Sequence, residues 1–271
     1  MKFNRRSFIL KLVLGIIGLV VIDAFWLEKY FIEWKTFDIS NGEIDIIKAI
    51  QLSDLHLQEI KSFHRSIAER INQERPDVVF ITGDTITRKN KISLLNDFLD
   101  LLDNSILKIA ILGNKEYSGR VDIKLLKKTY SEHNCVLLIN ESYVLHTKNR
   151  KINILGIDDY VYGSPDFSKA VDSIDRSLTT VVLNHCPAYR EEIDRLSMGL
   201  EIKPIFILAG HTHGGQITFF GNPLFTPYGS GEYVKGWYNN KLSKMYVSKG
   251  IGTAILPIRF GARAEATLFY I

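Results

Sequence analysis

Five short polar clusters carry residue types that hold metal ions: Asp54-x-His56, Gly83-Asp84, Gly113-Asn114, His185, and Gly210-His211-x-His213. Each follows an apolar stretch. Taken singly, every cluster has an ordinary explanation, because Asp favours turns and glycine beside Asp or Asn is common turn chemistry. Taken together, they hold four of the seven histidines, so coincidence would have to explain them all. His211 and His213 are flanked by Gly210, Gly214 and Gly215, whose backbone freedom lets both imidazoles turn toward one point. His64, His133 and His146 lie outside the clusters and read as surface or packing residues. Cys135 and Cys186 lack the spacing of a zinc ribbon and the density of a disulfide scaffold. Cys186 follows His185 and reads as a small buried thiol, with ligation as the alternative.

The elements that must position these residues are short. Apolar, β-rich runs at 46–52, 78–82, 106–112, 152–157, 179–183 and 204–208 predict strands, and most end at one of the polar clusters. Between them, Ser62–Glu74 carries Phe63, Ile67 and Ile71 at fourfold spacing before Pro76, the pattern of an amphipathic helix, and 93–102 reads as another. Alternation of this kind predicts a layered α/β fold, in which loops at the carboxyl ends of strands gather ligands on one edge. No repeat or long linker interrupts the chain, so one domain is expected over 40–271. Runs near 217–220, 244–248 and 267–271 suggest a second sheet.

The order and spacing of the clusters resemble the calcineurin-like metallophosphoesterase superfamily from about Ile46 onward. The similarity extends to a membrane-associated bacterial phosphodiesterase branch through Leu52-Ser53-Asp54-Leu55-His56, Ile81-Thr82-Gly83-Asp84, Gly210-His211-Thr212-His213-Gly214-Gly215-Gln216 and Leu256-Pro257-Ile258-Arg259-Phe260. The resemblance implies a four-layer α-β-β-α sandwich of two mixed sheets flanked by helices. It also implies that Asp54, His56 and His213 bind one metal, that Asn114, His185 and His211 bind a second, and that Asp84 bridges them. Carboxylate and imidazole donors suit manganese, iron or zinc. A cation pair of this kind clamps a phosphate and activates a bridging water. The implied reaction is hydrolysis of a phosphoester or pyrophosphate by a metal-bridging hydroxide. Similar proteins include hydrolases of nucleotide-sugar lipid precursors, which makes a UDP-2,3-diacylglucosamine-type pyrophosphate an alternative substrate.

One position departs from the family. Where a histidine usually follows the metal-binding Asn, this chain reads Asn114-Lys115-Glu116. Lys115 is the candidate catalytic residue: it either supplies positive charge to a developing oxyanion or points to solvent. A scaffold with weakened catalysis is therefore the second functional class. Arg259 is a candidate substrate-phosphate ligand, since its planar fork matches phosphate, although it would equally pair with a carboxylate. Asp158 and Asp159 read as turn residues, and Tyr117, Tyr160 and Tyr228 as loop residues available to line a groove.

The amino terminus differs in character. Basic residues in 1–11 precede an uncharged run over 12–22, and the apolar stretch 8–27 is long enough to span a bilayer. Asn4-Arg5-Arg6-Ser7-Phe8 also resembles a twin-arginine export signal. A targeting or anchor segment is thus expected over 1–35. The basic end stays cytoplasmic by the positive-inside rule, which puts the catalytic domain on the extracytoplasmic side of a bacterial inner membrane; a helix lying on the cytoplasmic face is the alternative. Setting Lys2, Arg5, Arg6 and Lys11 aside leaves 30 basic residues against 30 acidic ones. That balance supplies no basic patch, so phosphorylated small molecules or lipid-linked substrates are the expected partners rather than nucleic acid.

Overall fold

The computed structural model describes residues 5–40 and 42–271. Helix α1 (Arg5–Ile22) runs through a π turn at Asp23–Leu27 into the single turn α2 (Glu28–Tyr30) and then strand β1 (Glu33–Asp38). The first α/β half follows: β2 (Lys48–Leu52), α3 (Ser62–Glu74), β3 (Val78–Thr82), α4 (Ile92–Leu99), β4 (Leu107–Ile111), α5 (Asn114–Ser118), α6 (Ile123–Glu132) and β5 (Cys135–Leu138). The second half contains β6 (Glu141–His146), β7 (Lys151–Gly156), α7 (Phe167–Val171), β8 (Thr179–Leu183), α8 (Arg190–Leu200) and β9 (Phe206–Ala209). Short strands β10 (Thr218–Phe219) and β11 (Asn222–Pro223) precede β12 (Gly236–Asn239), β13 (Lys244–Val247) and β14 (Glu265–Tyr270).

Two mixed sheets form, in the orders β1-β14-β2-β3-β4-β5 and β12-β13-β9-β8-β7-β6. Strand β3 shows why they stack. Successive side chains of a strand point to opposite faces. Val78 and Phe80 face the second sheet, where they pack with Ile154, Val181 and Leu208, while Val79 and Ile81 pack with Ile67, Phe98 and Leu126 of the helices. Both faces are therefore covered, which is why the strand reads as an unbroken apolar run. On the far side, Leu155, Val182 and Ile207 pack against Phe167, Ala170 and Ile193 of α7 and α8. The result is four layers, helix-sheet-sheet-helix.

Three expectations need correction. The run at 267–271 belongs to the first sheet, where β14 lies antiparallel to β2 with Thr267 opposite Gln51. Its continuous apolar character suits a covered strand of either sheet, and long-range pairing decides. The run at 217–220 contributes only the two-residue β10, paired with β11. Strand β1 begins at Glu33, inside the stretch assigned to the anchor, and pairs in parallel with β14. Lys249 closes this edge with ion pairs to Glu33 and Glu265.

Helix α1 leaves its apolar side chains exposed on every side, and the helical stretch Arg5–Tyr30 is long and apolar enough to cross a membrane. Its foot is fastened to the body. Arg259 N–H donates to Ala24 O at 3.0 Å, and the Glu28 carboxylate accepts from Gly261 N and Ala262 N, both at 2.9 Å.

Candidate metal centre

The clusters converge because the strands before them end on one edge. Asp54, Asp84 and Asn114 follow β2, β3 and β4 of the first sheet; His185 and His211 follow β8 and β9 of the second. Gln51 ties the sheets together there, its amide donating to Thr82 Oγ1 and to Ala209 O at 3.0 Å each. The loops turn sharply. Asp54, His56, Asp84, His211 and His213 all have positive φ, between 44° and 73°. Such backbone is uncommon outside glycine and persists where surrounding structure enforces it, typically at functional sites.

All seven predicted ligand residues are buried around one point. They divide into two sets that share Asp84. On one side, Asp84 Oδ2 lies 3.5 Å from His56 Nε2, which is 3.0 Å from His213 Nε2, and His213 Nε2 is 3.5 Å from Asp54 Oδ1. On the other, Asp84 Oδ1 lies 3.5 Å from His185 Nε2, and Asn114 Oδ1 is 3.2 Å from His185 Nε2 and 3.0 Å from His211 Nδ1.

These spacings fit cations. Ligand atoms about 2.1 Å from one metal, at angles between octahedral and tetrahedral, stand roughly 3.0–3.4 Å apart. The hydrogen bonding agrees. His185 donates its Nδ1–H to Thr82 O at 2.7 Å, and His211 its Nε2–H to Tyr228 O at 2.8 Å. His211 thereby turns an unprotonated Nδ1 toward Asn114 Oδ1, so two electron-rich atoms face each other at 3.0 Å, and His185 turns its Nε2 toward Asn114 Oδ1 and Asp84 Oδ1. A cation resolves that repulsion, and the backbone carbonyls hold the rings in the required orientation.

Electrostatics prepares the same donors. Burial drives His56 and His211 down to about 4 and His213 well below the ordinary value, leaving their imidazoles neutral at neutral pH. His185 is the exception: burial opposes its charge, but Asp84 outweighs it and lifts the pKa to about 10, so without a cation His185 keeps a proton that metal binding would displace. Burial lifts Asp54 to about 6. For Asp84 burial again acts upward, yet His185 holds the carboxyl well below the usual range.

Other predicted residues take different places. Lys115 lines the cavity that contains Asp84, Asn114, His211 and His213, and its backbone N–H donates to Asp84 Oδ1 at 2.7 Å. Arg259 is fully buried, and among the described residues it forms no ion pair with a carboxylate. Its guanidinium donates to the carbonyls of Lys249, Gly250, Gly252 and Ala262 at 2.6–3.0 Å, with longer contacts to His213. The reading of Arg259 as substrate-binding is therefore corrected: its donors are occupied in fixing the loops behind His213. Asp158 and Asp159 are turn residues, accepting from Ser164 N at 2.9 Å and Tyr162 N at 2.7 Å. Cys186 lies beside His185 and His211, but it donates to Asp159 Oδ1 at 3.2 Å, and burial pushes its thiol up, away from the thiolate that binds metal. Tyr117 donates to Asp158 Oδ1 at 2.6 Å; Tyr160 and Tyr228 stack with centroids 6.4 Å apart.

Glu116 received no role from sequence reading. Buried beneath the site, it accepts from the backbone N–H groups of Gly113, Asp84, Thr85 and Ile86 at 2.6–3.2 Å and from Thr85 Oγ1 at 2.8 Å. It thus clamps two ligand loops together. The available signal was its place three residues after Gly113, the helix N-cap, where a Glu side chain returns to the cap backbone.

A family model described as calcineurin-like phosphoesterase matches residues 47–215. The metallophosphoesterase YkuE of Bacillus subtilis is 28% identical over 287 residues, covering 99% of this chain and 97% of that protein. Phosphodiesterase YaeI of Escherichia coli is 27% identical over 229 residues, covering 82% and 80%. Among solved structures, TT1561 of Thermus thermophilus aligns with a TM-score of 0.51 at 10% identity, over 76% of this chain and 91% of that one, a likeness of fold.

Proposed function

Because the chain belongs to the calcineurin-like phosphoesterase family and is a metallophosphoesterase, we propose that its buried centre holds two divalent cations, manganese, iron or zinc, and hydrolyses a phosphodiester or pyrophosphate bond. The observation that carries this reading is Asp84, whose two carboxylate oxygens each stand 3.5 Å from an imidazole of a different set. Asp54, His56 and His213 would hold one cation, and Asn114, His185 and His211 the other. When bound, such a pair activates water and neutralises the charge of the phosphate.

The chain's own residues supply the rest. Glu116 keeps the Asp84 and Asn114 loops in register through the hydrogen bonds described above. Arg259 keeps His213 in place from behind. Lys115 puts a primary ammonium in the cavity wall, where it can bind a phosphate oxygen and counter charge developing in the transition state. That placement favours an enzyme over a scaffold without catalysis. The test is hydrolysis of bis-p-nitrophenyl phosphate with added manganese, comparing the wild type with Asp84→Asn; turnover independent of Asp84 would contradict the assignment.

We further propose that α1 anchors the chain in a bacterial inner membrane, with residues 40–271 as one catalytic domain on the extracytoplasmic side, acting on a membrane- or envelope-linked substrate. The exposed apolar surface of α1 supports the anchor, and the basic residues at its amino-terminal end support the orientation. A diacylglucosamine nucleotide would instead need a cytosol-facing site.

A further inference from the structure

The cavity that receives Lys115 and the ligand residues has a second wall of opposite character. Ile217, Leu224, Phe225, Ala254, Ile255 and Leu256 line it, so a polar phosphate-binding end continues directly into an apolar one. Gln216 joins the two loops that build this wall: its side-chain amide donates to Ala254 O and Leu256 O at 2.9 Å each and accepts from Ala254 N at 2.8 Å. The wall is exposed where a soluble protein would bury it. Ile255 is 89% exposed, Leu224 67% and Phe225 65%, and Phe220 at the β10-β11 turn is fully exposed. Contiguous exposed apolar surface of this kind marks an interaction site. Two of these side chains stand on costly backbone, with φ of 53° at Ile255 and 49° at Phe220. A β-branched residue there is a genuine outlier, and here it points an isoleucine outward.

The same loops are tied to the apolar helix. Thr218 N–H donates to Phe260 O at 2.7 Å, Phe219 packs on Phe260 with centroids 5.6 Å apart, and the adjacent Arg259 N–H donates to Ala24 O. The apolar wall, the exposed loop tips and the foot of α1 are thus one connected surface.

We propose that this wall is a subsite for a hydrocarbon chain and that the substrate is an amphiphilic phosphoester, its phosphate on the metal centre and Lys115 and its acyl or alkyl chain along Ile217, Leu224, Phe225 and Ile255. The proposal rests on the phosphoesterase reading and names its substrate class. Hydrocarbon burial is favourable per methylene, so affinity grows with chain length until the wall is covered.

The test uses the full-length protein in detergent with p-nitrophenyl alkyl phosphodiesters of ethyl, hexyl and dodecyl chain, each below its micellar concentration. The wild type is expected to gain in kcat/KM by about two- to fourfold per methylene over the first several carbons. In the double variant Phe225→Ser, Ile255→Ser, the dodecyl-to-ethyl ratio of kcat/KM is expected to fall at least tenfold. Reading a ratio within each variant separates chain recognition from any general loss of activity. A ratio near one in the wild type, or one unchanged in the variant, overturns the subsite while leaving the phosphoesterase standing. Absence of Asp84-dependent release from all three esters overturns both.

Discussion

At the residue scale, the seven residues that converge at the strand ends were readable because carboxylate, carboxamide and imidazole groups recur after strands, and the chemistry of such a donor set does not depend on packing detail. Arg259 was not, because a guanidinium suits phosphate, carboxylate and carbonyl alike, and only the fold shows five backbone carbonyls around it. Lys115 stands where the family's usual residue is His, which shuttles protons near neutral pH as an ammonium does not. Lys115→His is therefore expected to raise kcat on bis-p-nitrophenyl phosphate by about tenfold or more, since a positioned acid-base group contributes roughly 10²–10⁴-fold. Steady-state kinetics at saturating manganese measures it. His64 offers a test of stability away from the centre. It is buried, its Nδ1 accepts Lys61 N–H at 3.0 Å, and burial lowers its pKa from 6.5 to about 4. The unfolded chain binds this proton first, so stability present above pH 6.5 is lost as pH falls toward 4. The loss reaches up to about 3 kcal/mol at 1.36 kcal/mol per unit. In His64→Gln this part of the decline in denaturation midpoint between pH 7 and pH 4.5 should disappear.

At the element scale, strand existence followed from apolar runs, and their ends at polar clusters followed from the same runs. Partners did not. β14 and β13 are both short and largely buried yet sit in different sheets, because pairing is decided by contacts far apart in the chain. β1 was not legible because Glu33–Asp38 has only Trp34 and Phe37 as apolar residues and follows a long apolar helix. The turns after strands carry the site's precision. Gly83 has φ 87°, and a Cβ there would stand 2.5 Å from His185 Nδ1 and 2.9 Å from the Gly113 backbone. Gly83→Ala is accordingly expected to displace His185, lowering metal affinity at least tenfold with a stability loss of about 1–3 kcal/mol. Metal titration and thermal unfolding of the same variant separate the two effects.

At the scale of the whole molecule, two sheets bring five loops to one edge, and the foot of α1 is fastened to the 259–264 segment beside them. The side chains of α1 are not buried against the body, so the proposed anchoring predicts that deleting residues 1–22 moves the chain from the membrane to the soluble fraction. Its thermal midpoint is expected to change by no more than a few degrees, provided Ala24 and Glu28 remain to bind Arg259, Gly261 and Ala262. Cell fractionation and circular dichroism check both halves of that expectation, and protease protection of spheroplasts reports the side on which the domain lies.

The central claim is that Asp84 joins two cations that carry out phosphoester hydrolysis. Metal content per chain, measured together with hydrolysis of bis-p-nitrophenyl phosphate for wild type and Asp84→Asn, tests it directly. Two metals per wild-type chain are expected, with a loss of bound metal and about two to three orders of magnitude in turnover in the variant. A wild type that binds no divalent metal, or a variant that keeps both metal and turnover, would contradict it.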